Sequence, residues 1–308
     1  MTALVTGGLG FVGHALVERL AKDGERVVVL DDLLQYRDRR PPELPATAEL
    51  VAGDVRDRQV VLSLLERERP QTVHHLAAIH YIPACDADPA ECISVNAAGT
   101  ASLLEACSIA VPHAACVLVS TGAVYAPATH AHREDEAPGP VDVYGLSKLW
   151  MEQMAALFVE RRGLRIAIAR LFNTYGPGET NPHLIPTLID QALAGGVVHA
   201  GDLNTRRDYV HVDDVARALA AMAGRTETLN VGSGRAVSGH QVVEEVGRAA
   251  GRKLEVETDP SRLRKVDRPL LQSDPGRAAE VLGWRAEVAF EDGIADLVRA
   301  SVASGARV

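Results

Sequence analysis

The sequence predicts an α/β protein: a doubly wound parallel sheet with helices on both faces, followed by a smaller C-terminal mixed α/β domain. Three observations predict it. Short apolar runs alternate with helical periodicity through the first 172 residues. The runs are continuously apolar, as strands buried on both faces are. The first run ends in a cluster of glycines that leads directly into a helix pattern.

Taken in order, Ala3-Leu4-Val5-Thr6 is the first strand. Phe11, Val12, Ala15, Leu16 and Leu20 then recur at helical spacing. A valine-rich run at 26–30 makes the second strand, 50–52 the third, 72–77 the fourth and 115–119 the fifth. Helical patterns fall between them near 57–68 and 90–110, and a helix at 144–162 precedes a strand at 165–171. Right-handed crossovers wind such units into one sheet. After residue 172 the rhythm breaks at a Gly/Pro-rich loop, 173–182. Helices are predicted near 184–194, 212–223, 239–250, 275–282 and 291–303, and short strands near 197–200, 228–231 and 254–257. The chain is therefore divided into 1–172 and 173–308, with strands of the second part able to join the first sheet.

A chain of 308 residues, 47% hydrophobic, is ample for a sizeable core. The formal charge is −9, from 32 basic and 41 acidic residues, and no basic stripe exists, so no nucleic acid is expected as partner. Cys85, Cys92, Cys107 and Cys116 show neither C-x-x-C nor zinc spacing, which predicts reduced, mostly buried thiols. No apolar run is read as membrane-spanning, and the N-terminus enters a strand pattern without a signal peptide. The expectation is a cytoplasmic protein with no membrane partner.

The glycine cluster carries the first chemistry. Gly8, Gly10 and Gly13 satisfy G-x-G-x-x-G, and Gly7, Gly10 and Gly13 a related spacing. Such a turn, with Phe11 and Val12 opening the helix, offers backbone N–H groups to a pyrophosphate, the Rossmann-type arrangement. Asp31, with Asp32 beside it, ends the second strand, where a carboxylate accepts from ribose hydroxyls and repels a 2′-phosphate. The cofactor expected is NAD. Arg37, Arg39 and Arg40 lie close in sequence and would suit the phosphate of NADP instead. Asp54 and Val55 follow the third strand; Asp54 either meets the adenine or caps the next helix.

Tyr144 and Lys148 carry the second. Four residues apart on a helix, they share one face. A free tyrosine titrates near 10, and a neighbouring ammonium is expected to pull that value down toward use as a base.

The glycine turn, Asp31, Asp54, Leu76-Ala77-Ala78, Asn96, Ser120-Thr121, Tyr144/Lys148 and the run from Arg170 to Pro177 stand in a familiar order. So do Arg207-Asp208 with Asp213-Asp214, Asn230 to Gly234, and Leu282-Gly283-Trp284. Over essentially its whole length the chain resembles the extended short-chain dehydrogenase/reductase family that acts on nucleotide sugars. The resemblance implies that Tyr144 is the general acid/base, that Lys148 binds the nicotinamide ribose, and that Thr121 hydrogen-bonds the same sugar oxygen. It groups Leu76, Ala77, Ala78, His80, Asn96, Ser120 and Pro177 with the cofactor, Pro177 packing on the nicotinamide. It assigns Thr121, Asn173, His183, Leu184 and Arg207 to the nucleotide-sugar substrate, together with a late arginine from among Arg262, Arg264 and Arg268. It also implies a homodimer built from the helices near 90–110 and 144–162.

These parts permit reversible hydride transfer at a sugar carbinol. Thr121 is followed by Gly122, Ala123, Val124 and Tyr125, without the carboxylate that a dehydratase of this kind carries. Asp31 favours tightly held NAD, which suits a redox-neutral cycle. The reading is an NAD-dependent 4-epimerase of a nucleotide sugar, UDP-sugars favoured, working through a transient 4-keto intermediate. The alternatives are a 4-keto-sugar reductase, a dehydratase and, from another class, a non-catalytic NAD-binding regulator. Three segments depart from the family pattern, and there sugar or base specificity is able to differ: His80-Tyr81-Ile82-Pro83, the segment 181–186 with His183, and 201–206. His74 and His75 are read as structural. His130 and His132 share a polar loop with Glu134, Asp135 and Glu136; the loop 126–142 is read as a mobile flap, and no metal is expected. No G-x-S-x-G elbow supports a hydrolase.

Overall fold

A computed structural model describes residues 1–262 and 268–304. Its first half runs β1 (Thr2–Thr6), α1 (Phe11–Lys22), β2 (Arg26–Asp31), β3 (Ala48–Ala52), α2 (Arg58–Glu68), β4 (Thr72–His75), α3 (Ile82–Ala87), α4 (Pro89–Ile93), α5 (Gly99–Ala110), β5 (Ala115–Thr121), α6 (Val143–Arg162) and β6 (Arg165–Leu171). One π-helical turn, Ser94–Ala98, joins α4 to α5. The second half runs β7 (Asn173–Tyr175), α7 (Leu184–Ala194), β8 (Val198–Ala200), β9 (Arg206–His211), α8 (Val212–Ala221), β10 (Thr228–Val231), β11 (Ala236–Ser238), α9 (Gly239–Ala249), β12 (Val256–Thr258), β13 (Leu270–Leu271), α10 (Gly276–Leu282) and α11 (Phe290–Ser304).

The main sheet has the order β10-β6-β5-β4-β1-β2-β3, with every pair parallel. Strand order reverses at β1, whose neighbours are β2 and β4, so the crevice for a ligand opens beyond its carboxyl end. One face is packed by Leu16, Val17, Leu20, Val215, Leu219 and Trp284. The other is packed by Val61, Leu65, Leu103, Leu104, Met151 and Ala155. A third core, with Ile185, Leu188, Val242, Val246 and Ile294, lies in the second half.

The division at residue 172 is not a division between cores. β10 pairs with β6 from Thr228↔Ile168 to Val231↔Leu171. α8 packs on α1, and the Trp284 indole donates to the carbonyl of Asp214 at 3.0 Å inside the first core. Residues 212–231 and 276–284 thus complete the dinucleotide half, because β6 would otherwise expose a row of unpaired backbone groups. The loop expected at 173–182 begins instead with β7, which pairs with β9 beside β11 and β13.

One helical stretch, Pro89–Ala110, is long and apolar enough by length and composition to cross a membrane, contrary to the expectation that no such run exists. It packs here against α2 and α6, with Leu103, Leu104, Ala106 and Cys107 in the core. All four cysteines are free and buried, as their spacing predicts.

Candidate active site

A single cleft of about 1140 Å³ runs from the glycine turn at β1 across the β5 end to α7 and β9. That exceeds the roughly 300–1,000 Å³ usual for one small ligand and leaves room for two.

Gly7, Gly10, Phe11, Val12 and Gly13 line one end. Gly7 has φ +67°, and a Cβ there would lie 2.7 Å from the Ala77 nitrogen; one on Gly13 would lie 2.1 Å from the Gly7 oxygen. The turn is therefore glycine-only, and α1, whose N-cap is Gly10, has no side-chain cap. Its first N–H groups are left for an anion, and a pyrophosphate fits this cradle. Asp31 also lines the cleft, its carboxylate accepting from Leu9 N at 3.1 Å and Leu33 N at 3.0 Å. Burial raises its pKa, against those two bonds. Asp32 lines the cleft and accepts from Leu34 N. Arg37, Arg39 and Arg40 do not line it; Arg39 stacks over Tyr36 and donates to Gln35 O.

Asp54 and Val55 close this end. Asp54 does not cap α2. Asp57 does, accepting from Gln59 N and Val60 N, while Asp54 pairs with Arg56 at 2.6 Å and is held below the usual carboxylate range by it. Leu76, Ala77, Ala78, His80 and Ser120 line the middle. Ser120 donates to Glu152, which forms a buried bidentate pair with Arg170 at 3.0 and 2.7 Å. Asn96 and Pro177 depart from their expected places beside the cofactor. Asn96 is fully buried behind the wall: its Oδ1 accepts from Ile79 N at 2.8 Å, and its Nδ2 donates to Ile79 O and Ser147 Oγ, both at 2.9 Å. Pro177 is exposed and is not among the residues lining the cleft.

Tyr144, Lys148 and Thr121 meet where β5 ends against α6. Asp142 caps α6 by accepting from Gly145 N at 2.7 Å. Ser147 Oγ donates to the Tyr144 carbonyl at 2.7 Å, which links the Asn96 clasp to the turn that carries Tyr144. Asn96 lies on the π-helical turn Ser94–Ala98. Burial raises the Tyr144 pKa, opposed by a hydrogen bond with Thr121. This reverses the direction expected from the lysine, because desolvation outweighs the opposing contacts; the Lys148 ammonium donates to the Val119 carbonyl, 2.9 Å away. Lys148 is itself buried, and desolvation pulls it from its ordinary 10.5 to about 8.

At the far end Asn173, His183, Leu184, Arg207 and Arg268 line the cleft. Asn173 Oδ1 is buried with no partner among the described residues. Arg207 donates to the carbonyls of Arg206 and Arg268, both at 2.8 Å. Arg268 pairs with Asp142 at 3.0 Å and donates to Ala123 O at 2.9 Å, so it braces the start of α6 as well as facing the cleft. Arg262 lines the cleft; Arg264 lies outside the described residues.

Four lining residues were not singled out from the sequence: Tyr36, Tyr81, Glu179 and Asn181. The departures at 80–83 and 181–186 point to Tyr81 and Asn181, whereas Glu179 lies in neither segment. The loop 126–142, read as a flap, is pinned. His132 N donates to Gln272 O, Asp274 N and Asn230 Nδ2 donate to His132 O, and its ring stacks on Tyr125 at 4.5 Å. His130, His132 and Glu136 converge there, their ligand atoms within 4.8 Å of one another. His74 and His75 are buried in β4; His75 bonds Thr6 Oγ1 at 2.7 Å and Thr100 Oγ1 at 2.9 Å.

The description "NAD dependent epimerase/dehydratase family" matches residues 3–232. The chain belongs to the NAD-dependent epimerase/dehydratase family. The UDP-glucose 4-epimerase of Mycolicibacterium smegmatis is 34% identical over 97% of each chain. The UDP-glucose 4-epimerase of Thermotoga maritima, solved with UDP-glucose, superposes with TM-score 0.92 at 29% identity, covering 99% of this chain and 100% of that one. MoeE5, solved with UDP-glucuronic acid and NAD, superposes with TM-score 0.88 at 31% identity, covering 99% and 100%. NAD is the cofactor of this epimerase/dehydratase chain, and the glycine cradle with an unphosphorylated-ribose acceptor at Asp31 fits it.

Proposed function

We propose that the protein is an NAD-dependent UDP-sugar 4-epimerase that interconverts UDP-glucose and UDP-galactose. The observation that carries the reading is the meeting of Tyr144, Thr121 and Lys148 in the same cleft as the glycine turn and Asp31. The absence of a carboxylate at 122–125 argues against elimination of water. In this reading Gly7, Gly10, Phe11, Val12, Gly13, Asp31 and Asp32 hold the adenosine diphosphate part of NAD. Lys148 and Ser120 stand at the nicotinamide end. Asn173, Arg207 and Arg268 bind the diphosphate of the sugar nucleotide, since two negative charges in an acidic protein need local cations.

Bound NAD supplies a hydride acceptor, then donor, and a cationic ring that favours the phenolate. Tyr144 as phenolate takes the proton of the C4 hydroxyl while the C4 hydrogen leaves with its electron pair, giving a C4 ketone. Thr121 hydrogen-bonds the same oxygen and keeps it beside Tyr144. With the cofactor bound, hydrogen would be returned to the other face of the ketone, and Tyr144 would give the proton back. Electrons and protons balance, so no external reductant is consumed.

The test is incubation with UDP-galactose and no added cofactor. Proton NMR should show inversion at C4, and mass spectrometry an unchanged mass. A strict requirement for NADH or NADPH, or loss of water, would overturn the reading.

The same proposal includes a cytoplasmic homodimer. Four free thiols suit a reducing compartment. Trp150 and Leu157, seven residues apart on α6, are 40% and 44% exposed, and Ile109 on α5 is 52% exposed. Large apolar side chains on one helix face suit association through that face. Light scattering should give twice the chain mass, and Trp150→Glu should halve it.

A further inference from the structure

The two segments that depart from the family pattern near residues 80 and 181 meet in the cleft. His80 Nε2 accepts from Asn181 Nδ2 at 3.0 Å. His183 packs against the rings of Tyr81 and His80, with centroids at 5.7 and 6.3 Å. Glu179 fastens the arrangement: Oε1 accepts from Thr180 N and Asn181 N, each at 2.8 Å, and Oε2 pairs with His183 Nδ1 at 3.1 Å. This carboxylate is 7% exposed, yet it lines the cleft. The cluster lines the same cleft as Tyr144 and Lys148. It also shares a frame with the phenol, since Asn96 clasps Ile79, the neighbour of His80, and holds Ser147 against the Tyr144 carbonyl.

We propose that His80, Glu179, Asn181 and His183 form the patch that reads the sugar, and that it selects a neutral hexose over a uronic acid. The inference rests on the UDP-sugar 4-epimerase reading and deepens it. Two imidazoles and a carboxamide suit hydroxyl groups, which both donate and accept; a carboxylate only accepts. Neither His80 Nδ1 nor His183 Nε2 has a hydrogen-bond partner among the described residues, and each is free to bond a hydroxyl. Burial holds His80 toward its neutral form, and bonds from His183 and the loop hold Glu179 ionised against its own burial. A uronate would bring a second anion beside Glu179 without a guanidinium to receive it in the cluster. One relative of this fold, MoeE5, was solved both with UDP-glucuronic acid and with UDP-glucose, so the fold itself admits either sugar.

The experiment compares kcat/KM for UDP-galactose and UDP-galacturonate in the wild-type enzyme and in Glu179→Gln and His80→Asn. Wild type should prefer the neutral sugar by at least about a hundredfold. Glu179→Gln should narrow that ratio at least about tenfold, chiefly by improving use of the uronate. If Glu179→Gln fails to fold, His80→Asn carries the test, and it should raise KM for UDP-galactose while KM for the uronate changes less. Similar use of both sugars by wild type, or a ratio unmoved in the folded variants, overturns this inference alone. Turnover of neither sugar by protein that binds NAD and UDP overturns the 4-epimerase reading beneath it.

Discussion

The ammonium of Lys148 lies 2.9 Å from the carbonyl oxygen of Val119, one strand residue short of Ser120 and two short of Thr121. The lysine is thereby fixed to the end of β5 rather than swinging on α6. Its charge is held in a buried site at a cost, and its pKa falls to about 8.

That cost is measurable. A folded-state pKa below the unfolded 10.5 means that the unfolded chain binds the extra proton between about 8 and 10.5. Stability from this group is therefore full above the upper value and lost as pH falls through the lower one. The shift corresponds to about 3 kcal/mol. Lys148→Met should melt higher than wild type at pH 7 while losing turnover, and the gap should shrink as pH rises from 8 to 10. Calorimetry across that range checks it; a gap constant with pH would refute the assignment.

Tyr144→Phe keeps the ring and removes the proton carrier. It should retain NAD and lose about a thousandfold in kcat, as expected for loss of general acid–base catalysis. Thr121→Val removes one hydrogen bond and should lose about tenfold. Stopped assays with the cofactor absorbance monitored alongside separate lost chemistry from lost binding.

His74 has no hydrogen-bond partner for either ring nitrogen among the described residues, and burial lowers its pKa to about 4. His75 falls to about 3, chiefly by burial, with the Lys148 charge adding to it. Both are neutral in the fold and charge on unfolding, so stability is full above about 6.5 and declines as pH drops toward these values. Each contributes about 1.4 kcal/mol per pH unit within that window. His74→Leu should flatten urea-derived stability between pH 6.5 and 4 and move the acid transition downward.

Arg268 braces Asp142, the cap of the helix that carries Tyr144. Arg268→Gln and Asp142→Asn should both lower kcat, and the double variant should fall short of the sum, with a coupling of about 0.5–3 kcal/mol. Arg268→Gln should also raise KM for the UDP-sugar, because the residue faces the cleft. A double-mutant cycle with full kinetics separates the two roles; strict additivity would remove the bracing role.

The parts of the site legible in the sequence are local. The glycine turn needs only a strand before it and a helix after it, and both are visible as periodicity. Tyr144 and Lys148 need only helical spacing. The remainder depends on what the fold brings from far away. Asn96 turns inward because Ile79 and Ser147, 17 residues before it and 51 after, present their polar groups behind the wall. The direction of the Tyr144 shift depends on desolvation by surrounding segments, which no pair of residues encodes. Asp54 alone is open to capping or to meeting the adenine; the fold gives it to Arg56 and leaves the cap of α2 to Asp57. The meeting of 80–83 with 179–183 joins two segments about a hundred residues apart, so each was visible as an oddity and neither as half of a site.

The outermost strand of the main sheet, β10, is made late. A nascent chain that has delivered β1 to β6 still carries a bare edge along β6, and the covering segment follows only at 228–231. The nucleotide-binding half therefore cannot mature on the ribosome ahead of the rest, as a modular N-terminal unit would. A truncated product ending near residue 172 should be sticky and chaperone-bound rather than a working cofactor-binding fragment.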